Sequence, residues 1–327
     1  MSAVLQRKED KKVQADPQLL QRLCDLFYHT HWGNMGPDLY VNGGAKRFEN
    51  VLTASYTPYA GETKLLADNA LKISDWAQNM ETAVVVGPGP ELSVRSKEIP
   101  ILKMLPDLKR VISIELSPVF NKQSAMALQK ELPHVDVHSF EIDFRDADLS
   151  AIENSKPALV ISTGSFTNFE DCPTESFPFA QVNGHIKKLG ELAGKGGKIL
   201  WGYDSTLNEV QYNNPLVSDF LNYPLEKASA MEGVTLDAKG FRHETRANSG
   251  SSVLSHDWIA TRPQDIVIGT HVFAVDKGDR FPMLISVKPS PERLVRAVKA
   301  LGVTTAFIEL DKSGAVIQGF DCNYTPS

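Results

Sequence analysis

The chain has 327 residues, with 34 Lys and Arg against 40 Asp and Glu, a formal net charge of −6, 42% hydrophobic residues and 23% charged residues. This is the composition of a soluble globular protein, long enough for one large α/β domain plus an accessory lobe. The mild acidity, without any Lys/Arg block, argues against nucleic-acid or membrane partners, and no apolar run is long enough for a transmembrane helix.

Residues 1–16 are polar and lack a hydrophobic signal region, so the expectation is a cytoplasmic protein. Cys24, Cys172 and Cys322 have no C-x-x-C spacing, which excludes a closed Cys-rich zinc site and fits a reducing compartment. Apolar residues recur at helical spacing over 17–30. A Gly/Asn/Pro-rich loop follows at 33–44, then predicted helices over Gly44–Ala54 and Gly61–Gln78.

The period then changes. Apolar β-rich runs stand at 83–86, 110–114, 135–142, 158–162 and 197–203, with helical patterns at 91–104, 118–132 and 174–195. Alternating strands and helices predict an α/β fold with a doubly wound parallel sheet, Rossmann-like in layout. Residues 204–260 interrupt the rhythm and read as an insertion without repeating strands. Two strands are expected at 265–275 and 280–288, joined as a hairpin by Lys277-Gly278-Asp279. A helix starts at Ser290-Pro291-Glu292 and ends near Gly302. Two last runs, 303–310 and 315–323, flank the turn Asp311–Gly314.

Function is carried by the strand tips. After the first strand comes Gly87-Pro-Gly89-Pro, where glycines let the backbone turn and approach a ligand, and a helix should open near Glu91. Taken alone, this loop fits any tight strand-to-helix turn equally well. A dinucleotide loop wants glycine at position 92, where Leu92 stands, so an NAD-linked dehydrogenase is the weaker reading. Glu115 ends the second strand, where a carboxylate can accept from both hydroxyls of a ribose. Asp143-Phe144 ends the third and can hold an adenine, Asp143 accepting from its amine and Phe144 covering its ring. The fourth ends Ser162-Thr163-Gly-Ser165-Phe-Thr-Asn168, a small polar segment suited to the reacting centre. Three successive tips favour an adenosyl site. Thr163, Ser165 and Asn168 are the candidates for orienting a reacting amine, and no strong general base is evident. His243 and His256 in the insertion read as structural or solvated.

With those tips placed, the chain from about Tyr40 onward resembles the histidine-specific Nα-methyltransferases of ergothioneine biosynthesis and their fungal ergot-alkaloid relatives. The resemblance lies in Tyr40–Glu49, Tyr56–Glu62, Gly164–Asn168, Leu200–Asp204, Tyr212-Asn-Asn and Ile285-Ser286-Val-Lys288, in that order. It implies S-adenosyl-L-methionine as cofactor and a class I methyltransferase domain, expected over 62–203 plus 290–327. The second lobe, for substrate, is expected over 1–61 plus 204–289. By resemblance, Tyr40 and Phe48 close over the cofactor or substrate, Asn168 and Tyr212 hold an α-carboxylate, and Ser286 sits in the side-chain pocket beside Tyr56. Two family positions that read the imidazole of histidine are changed, to Thr57 and Leu284. A family lysine near the cofactor carboxylate corresponds to Ser93, with Arg95 a possible substitute. Losing both imidazole readers removes discrimination worth a few kcal/mol, on the order of 10²-fold or more. The expected substrate is therefore a small-molecule amine, an amino acid or its derivative other than histidine. A noncatalytic adenosyl-binding scaffold and an L-histidine Nα-methyltransferase stand as alternatives.

Overall fold

A computed structural model describes residues 12–28, 34–53, 56–144, 157–164, 179–299 and 301–323. Five helices come first: α1 (Pro17–Phe27), α2 (Gly36–Leu39), α3 (Gly43–Thr53), α4 (Thr57–Asp68) and α5 (Ala70–Trp76). Asp16 caps α1 by accepting from the Leu19 amide, and Pro17 occupies its first turn. The single helix expected over 61–78 is two helices, broken at Asn69, and α2 forms inside the expected loop.

The alternating region follows as β1 (Thr82–Val86), α6 (Glu91–Ser96), α7 (Glu98–Leu102), β2 (Arg110–Glu115), α8 (Pro118–Glu131), β3 (Asp136–Glu141), β4 (Ala158–Thr163), α9 (Phe179–Ala193) and β5 (Lys198–Asp204). The helix expected over 91–104 is interrupted at Lys97, which leaves the helical run to turn inward.

The stretch 204–260 is not strandless. It holds α10 (Glu209–Tyr212), α11 (Pro215–Ser229), a two-residue β6 (Val234–Thr235), β7 (Phe241–Asn248) and β8 (Val253–Ala260). The expected strand over 265–275 is two strands, β9 (Gln264–Ile268) and β10 (His271–Val275), folded back on each other at Gly269, whose φ is +59°. The Lys277–Asp279 turn therefore joins no hairpin: it leads from β10 to β11 (Arg280–Val287), which pairs with β8 in another sheet. Continuous apolar runs hid both errors, because a strand-period pattern does not mark where the chain reverses. The chain closes with α12 (Pro291–Lys299), β12 (Val303–Leu310) and β13 (Ala315–Cys322).

The main sheet runs β12-β13-β5-β4-β1-β2-β3. Strands β5, β4, β1, β2 and β3 are parallel, with β3 at the edge, and β13 runs antiparallel to β5 and to β12. Every residue of β1 and β4 is buried, as strands covered on both faces require. One apolar core joins this sheet to α9 and α12, and another joins it to α4–α8. A third core packs α1, α2 and α11 on β8–β11. Strand order reverses between β1 and β4, and a crevice opens there at their carboxyl ends. No described helix is long and apolar enough to cross a membrane.

Candidate active site

One cavity fills that crevice and reaches the β11-β8-β7 sheet. Its lining includes Tyr40, Phe48, Tyr56, Gly87, Gly89, Ser93, Glu115, Asp143, Phe144, Thr163, Tyr212, Leu284 and Ser286. These candidates span almost 250 positions of sequence and converge on one space. Thr57 does not: it is the exposed first residue of α4. Ser165 and Asn168 lie outside the described residues.

The loop after β1 is shaped by its glycines. Gly87 and Gly89 have φ of +65° and +70°, conformations a side chain resists. The Gly87 amide donates to Ile114 O and so ties the loop to β2. The buried Glu115 carboxylate accepts from the Gly89 amide at 3.0 Å and the Ser117 amide at 2.9 Å. A carboxylate has about four acceptor positions, so about two remain for a ligand in the cavity. Burial raises the Glu115 pKa, and the two amides work against that rise. Tyr40 stacks edge-on against Phe48 at 5.1 Å, and both lie against Phe220. Burial, with the Glu115 charge nearby, pushes the Tyr40 hydroxyl pKa up, so it stays a phenol.

Behind β4 lies a buried charge cluster not expected from sequence. Lys97 Nζ donates to Glu62 Oε2 at 3.1 Å and lies 3.5 Å from Thr163 O, while the Thr163 hydroxyl donates to Glu98. Glu62, Lys97 and Glu98 are each under 5% exposed. Glu62 Oε1 and Glu98 Oε2 have no hydrogen-bond partner among the described residues. Burial alone would lower the Lys97 pKa, but Glu62 and Glu98 hold it above its ordinary value. Gly202 on β5 makes room for this cluster, since a Cβ there would sit 2.1 Å from Glu62 Oε1. Lys97 lines the cavity, as does Lys288 on the opposite wall, and Arg95 does not. Arg95 instead pairs with Glu91 and Glu131 outside the cavity, and Ser93 lines the wall without a charge. The sequence signal was a Lys-Glu pair at the break between α6 and α7.

The opposite wall is a second network. Asp204, at the end of β5, accepts from the Tyr212 hydroxyl at 2.7 Å and lies 3.2 Å from Lys288 Nζ. Lys288 Nζ also donates to the Tyr212 oxygen at 2.7 Å. Tyr56 packs edge-on against Tyr212 at 6.0 Å. Burial raises the Asp204 pKa, but Lys288 and Tyr212 outweigh it and bring it below its ordinary value. Burial lowers the Lys288 pKa. Leu284 and Ser286 lie on β11, and across β8 from Leu284 stands His256, which also lines the cavity. His256 is a wall residue, whereas His243 takes no part in the lining.

The class follows from this geometry. A doubly wound sheet carries a glycine loop after β1, a buried acid at the tip of β2 and an Asp-Phe pair after β3, all facing one cavity. These residues fit an adenosyl group: Glu115 has acceptor positions to spare, and the glycine loop leaves space beside it. Sequence comparison agrees. A family profile described as histidine-specific, SAM-dependent methyltransferase matches residues 37–316. Solved structures to which the chain is similar include a magnesium protoporphyrin IX methyltransferase from Synechocystis with bound SAH, 10% identical, covering 88% of this chain and 97% of its own, with a TM-score of 0.48. The CcbJ methyltransferase from Streptomyces caelestis is 10% identical over 77% of this chain and 93% of its own, with a TM-score of 0.46. A SAM-dependent methyltransferase from Clostridium acetobutylicum is 8% identical over 85% and 96%, with a TM-score of 0.45. No curated protein gives a significant match.

The protein is an S-adenosylmethionine-dependent methyltransferase on a Rossmann-like α/β fold. Within that class, the chain belongs to the histidine-specific, SAM-dependent methyltransferase family.

Proposed function

We propose that the protein methylates the amino group of an amino acid, or of a small molecule derived from one, other than histidine. The observation that carries this reading is the single cavity shared by Glu115 and Asp143 at one end and Tyr212, Leu284 and Ser286 at the other. Bound at the first end, S-adenosylmethionine supplies an electrophilic methyl group. Gly87, Gly89, Ser93, Glu115, Asp143 and Phe144 are the residues that would hold it, with Tyr40 and Phe48 covering it and Thr163 below.

The chain's own groups then have three tasks. Lys97 supplies the buried positive charge for a carboxylate, and Glu62 supplies an acceptor for an ammonium. Tyr56, Tyr212 and Ser286 orient the acceptor so that its nitrogen lies in line with the transferred methyl. Asn168 and Ser165 belong to this group on the strength of the family motif. Leu284 and the aromatic walls exclude water and give the acceptor's side chain an apolar seat. Leu284 stands where the family resemblance places an imidazole-reading glutamate, which supports a substrate other than histidine. The adenosyl half is proposed to span 62–203 with 290–327, and the acceptor lobe 1–61 with 204–289. A role in cytoplasmic small-molecule biosynthesis follows from this substrate class.

The test is incubation with S-adenosylmethionine and a panel of amino acids and amines, scored by release of S-adenosylhomocysteine. Turnover is expected with apolar or aromatic amino acids above histidine. Histidine as the preferred substrate would remove the specificity part, and silence across the panel would remove amine methylation.

A further inference from the structure

β8 is buried along its whole length and sits centrally in the β11-β8-β7 sheet, yet it carries a histidine. A buried imidazole needs hydrogen bonds, and His256 obtains one through an unusual chain. Its Nδ1 lies 2.9 Å from the Thr245 hydroxyl, directly across on β7. The same hydroxyl lies 3.1 Å from His243 Nε2. His243 Nδ1 lies 3.1 Å from the hydroxyl of Ser218 on α11, a partly exposed residue. The two rings stack at 5.7 Å. With Nδ1 engaged, Nε2 is the nitrogen His256 has left for the cavity it lines.

The Thr245 hydroxyl has one proton. It can donate to one imidazole and must accept from the other. The two histidines therefore share a tautomer, both Nδ1–H or both Nε2–H. These two arrangements differ by one proton carried from the cavity end to the α11 end. A purely structural histidine needs no second histidine in series.

We propose that His256 accepts the proton of the incoming ammonium and that Thr245, His243 and Ser218 relay it out of the pocket. This rests on the amine reading above, since an amine that arrives protonated cannot attack a methyl group. An ammonium N–H bond breaks and an Nε2–H bond forms on His256. The His256 Nδ1 proton passes to the Thr245 oxygen, whose own proton moves to His243 Nε2. The His243 Nδ1 proton passes to the Ser218 oxygen, whose proton leaves to water. Every relay member ends neutral, both tautomers have flipped, and the net change is one proton from substrate to solvent. After product release the Nε2 proton of His256 leaves to water in the emptied cavity while a water proton enters at Ser218, and the same steps run in reverse return both rings to Nδ1–H.

The titratable and charged groups around His256 are His243 on β7, Tyr212 on α10, Lys288 beyond β11 and, behind them, Asp204 on β5. Asp204 is already committed to Tyr212 and Lys288. Burial holds the His243 pKa near 4 and that of His256 well below ordinary, so a proton passes through and does not rest there.

Two measurements on the full chain decide the matter. Nitrogen-15 NMR of histidine-labelled, unaltered protein should find both rings neutral at pH 7 and in the same tautomer, and opposite tautomers would overturn the relay. Thr245→Val, tested with whichever proteinogenic L-amino acid releases S-adenosylhomocysteine, should lower kcat on the order of 10²-fold at neutral pH. That loss should shrink to less than about 3-fold near pH 9.5, where free amine is abundant. S-adenosylhomocysteine affinity should be unchanged. A loss equal at both pH values means a structural role and overturns the proposal. No turnover with any amine, alongside matched tautomers, overturns the amine reading instead.

Discussion

The two walls of the cavity are built on different plans. The proposed adenosyl wall takes its residues from the tips of three parallel strands: Glu115 from β2, Asp143 and Phe144 after β3, Thr163 from β4. Each tip follows a recognisable apolar run, so each residue has an address. The acceptor wall is assembled from partners across antiparallel strands and from helix ends, as in Leu284 with His256 and Asp204 with Tyr212 and Lys288. Residues at strand tips can be read from the sequence, whereas the pairings of the second wall exist only in the folded chain.

The comparison can be broken most severely at the buried charges between the walls. Lys97→Met leaves Glu62 and Glu98 buried without their cation and should destabilise the protein by about 3–5 kcal/mol, measured by urea unfolding. A near-neutral result would mean that both acids are protonated or solvated. Glu115→Ala acts on the adenosyl wall alone. It should weaken S-adenosylhomocysteine binding on the order of 10²-fold by calorimetry, through loss of charged hydrogen bonds. Gly202→Ala puts a Cβ 2.1 Å from Glu62 Oε1 and should lower the unfolding midpoint. The overpacking is expected to cost about 1–3 kcal/mol.

The sheet behind the proposed acceptor wall should show itself in acid. His243 has a folded pKa of about 4 because burial disfavours its charged form. The unfolded chain, with a histidine pKa of about 6.5, therefore takes up the proton first as pH falls. Stability drops through that window, by about 1.4 kcal/mol at pH 5.5 from this residue. His243→Gln should flatten that part of the curve. The smallest effect belongs to Arg95, which pairs at the surface with Glu91 and Glu131. Arg95→Ala should leave both the unfolding midpoint and S-adenosylhomocysteine affinity unchanged. A clear loss of affinity would return it to the cofactor site.

The parallel sheet was legible because β1, β2, β4 and β5 are short apolar runs bounded by turns, a pattern that two-sided burial imposes. The 204–290 region was legible only in outline. β9 and β10 ran together because Gly269 was the sole mark of reversal, and β7 is mostly polar while β8 carries Ser255, His256 and Asp257 at its centre, so neither shows an apolar strand pattern. The family resemblance sets its cofactor-site lysine at Ser93, with Arg95 as a substitute. The helix ends at Ser96, and the break turns Lys97 inward. His256 reads from sequence as structural or solvated, because its proposed role depends on Thr245 and Leu284 lying beside it in register. Register is a property of the folded sheet.

The most direct test of a methyl-donor wall facing an amine-acceptor wall is the position of the transferred methyl. Incubation with S-adenosylmethionine carrying a carbon-13 methyl group, over a panel of amino acids, should yield a product whose label is bonded to the amino nitrogen of an amino acid other than histidine, as read by NMR. A label on oxygen or carbon, or transfer to no amine at all, would contradict the account.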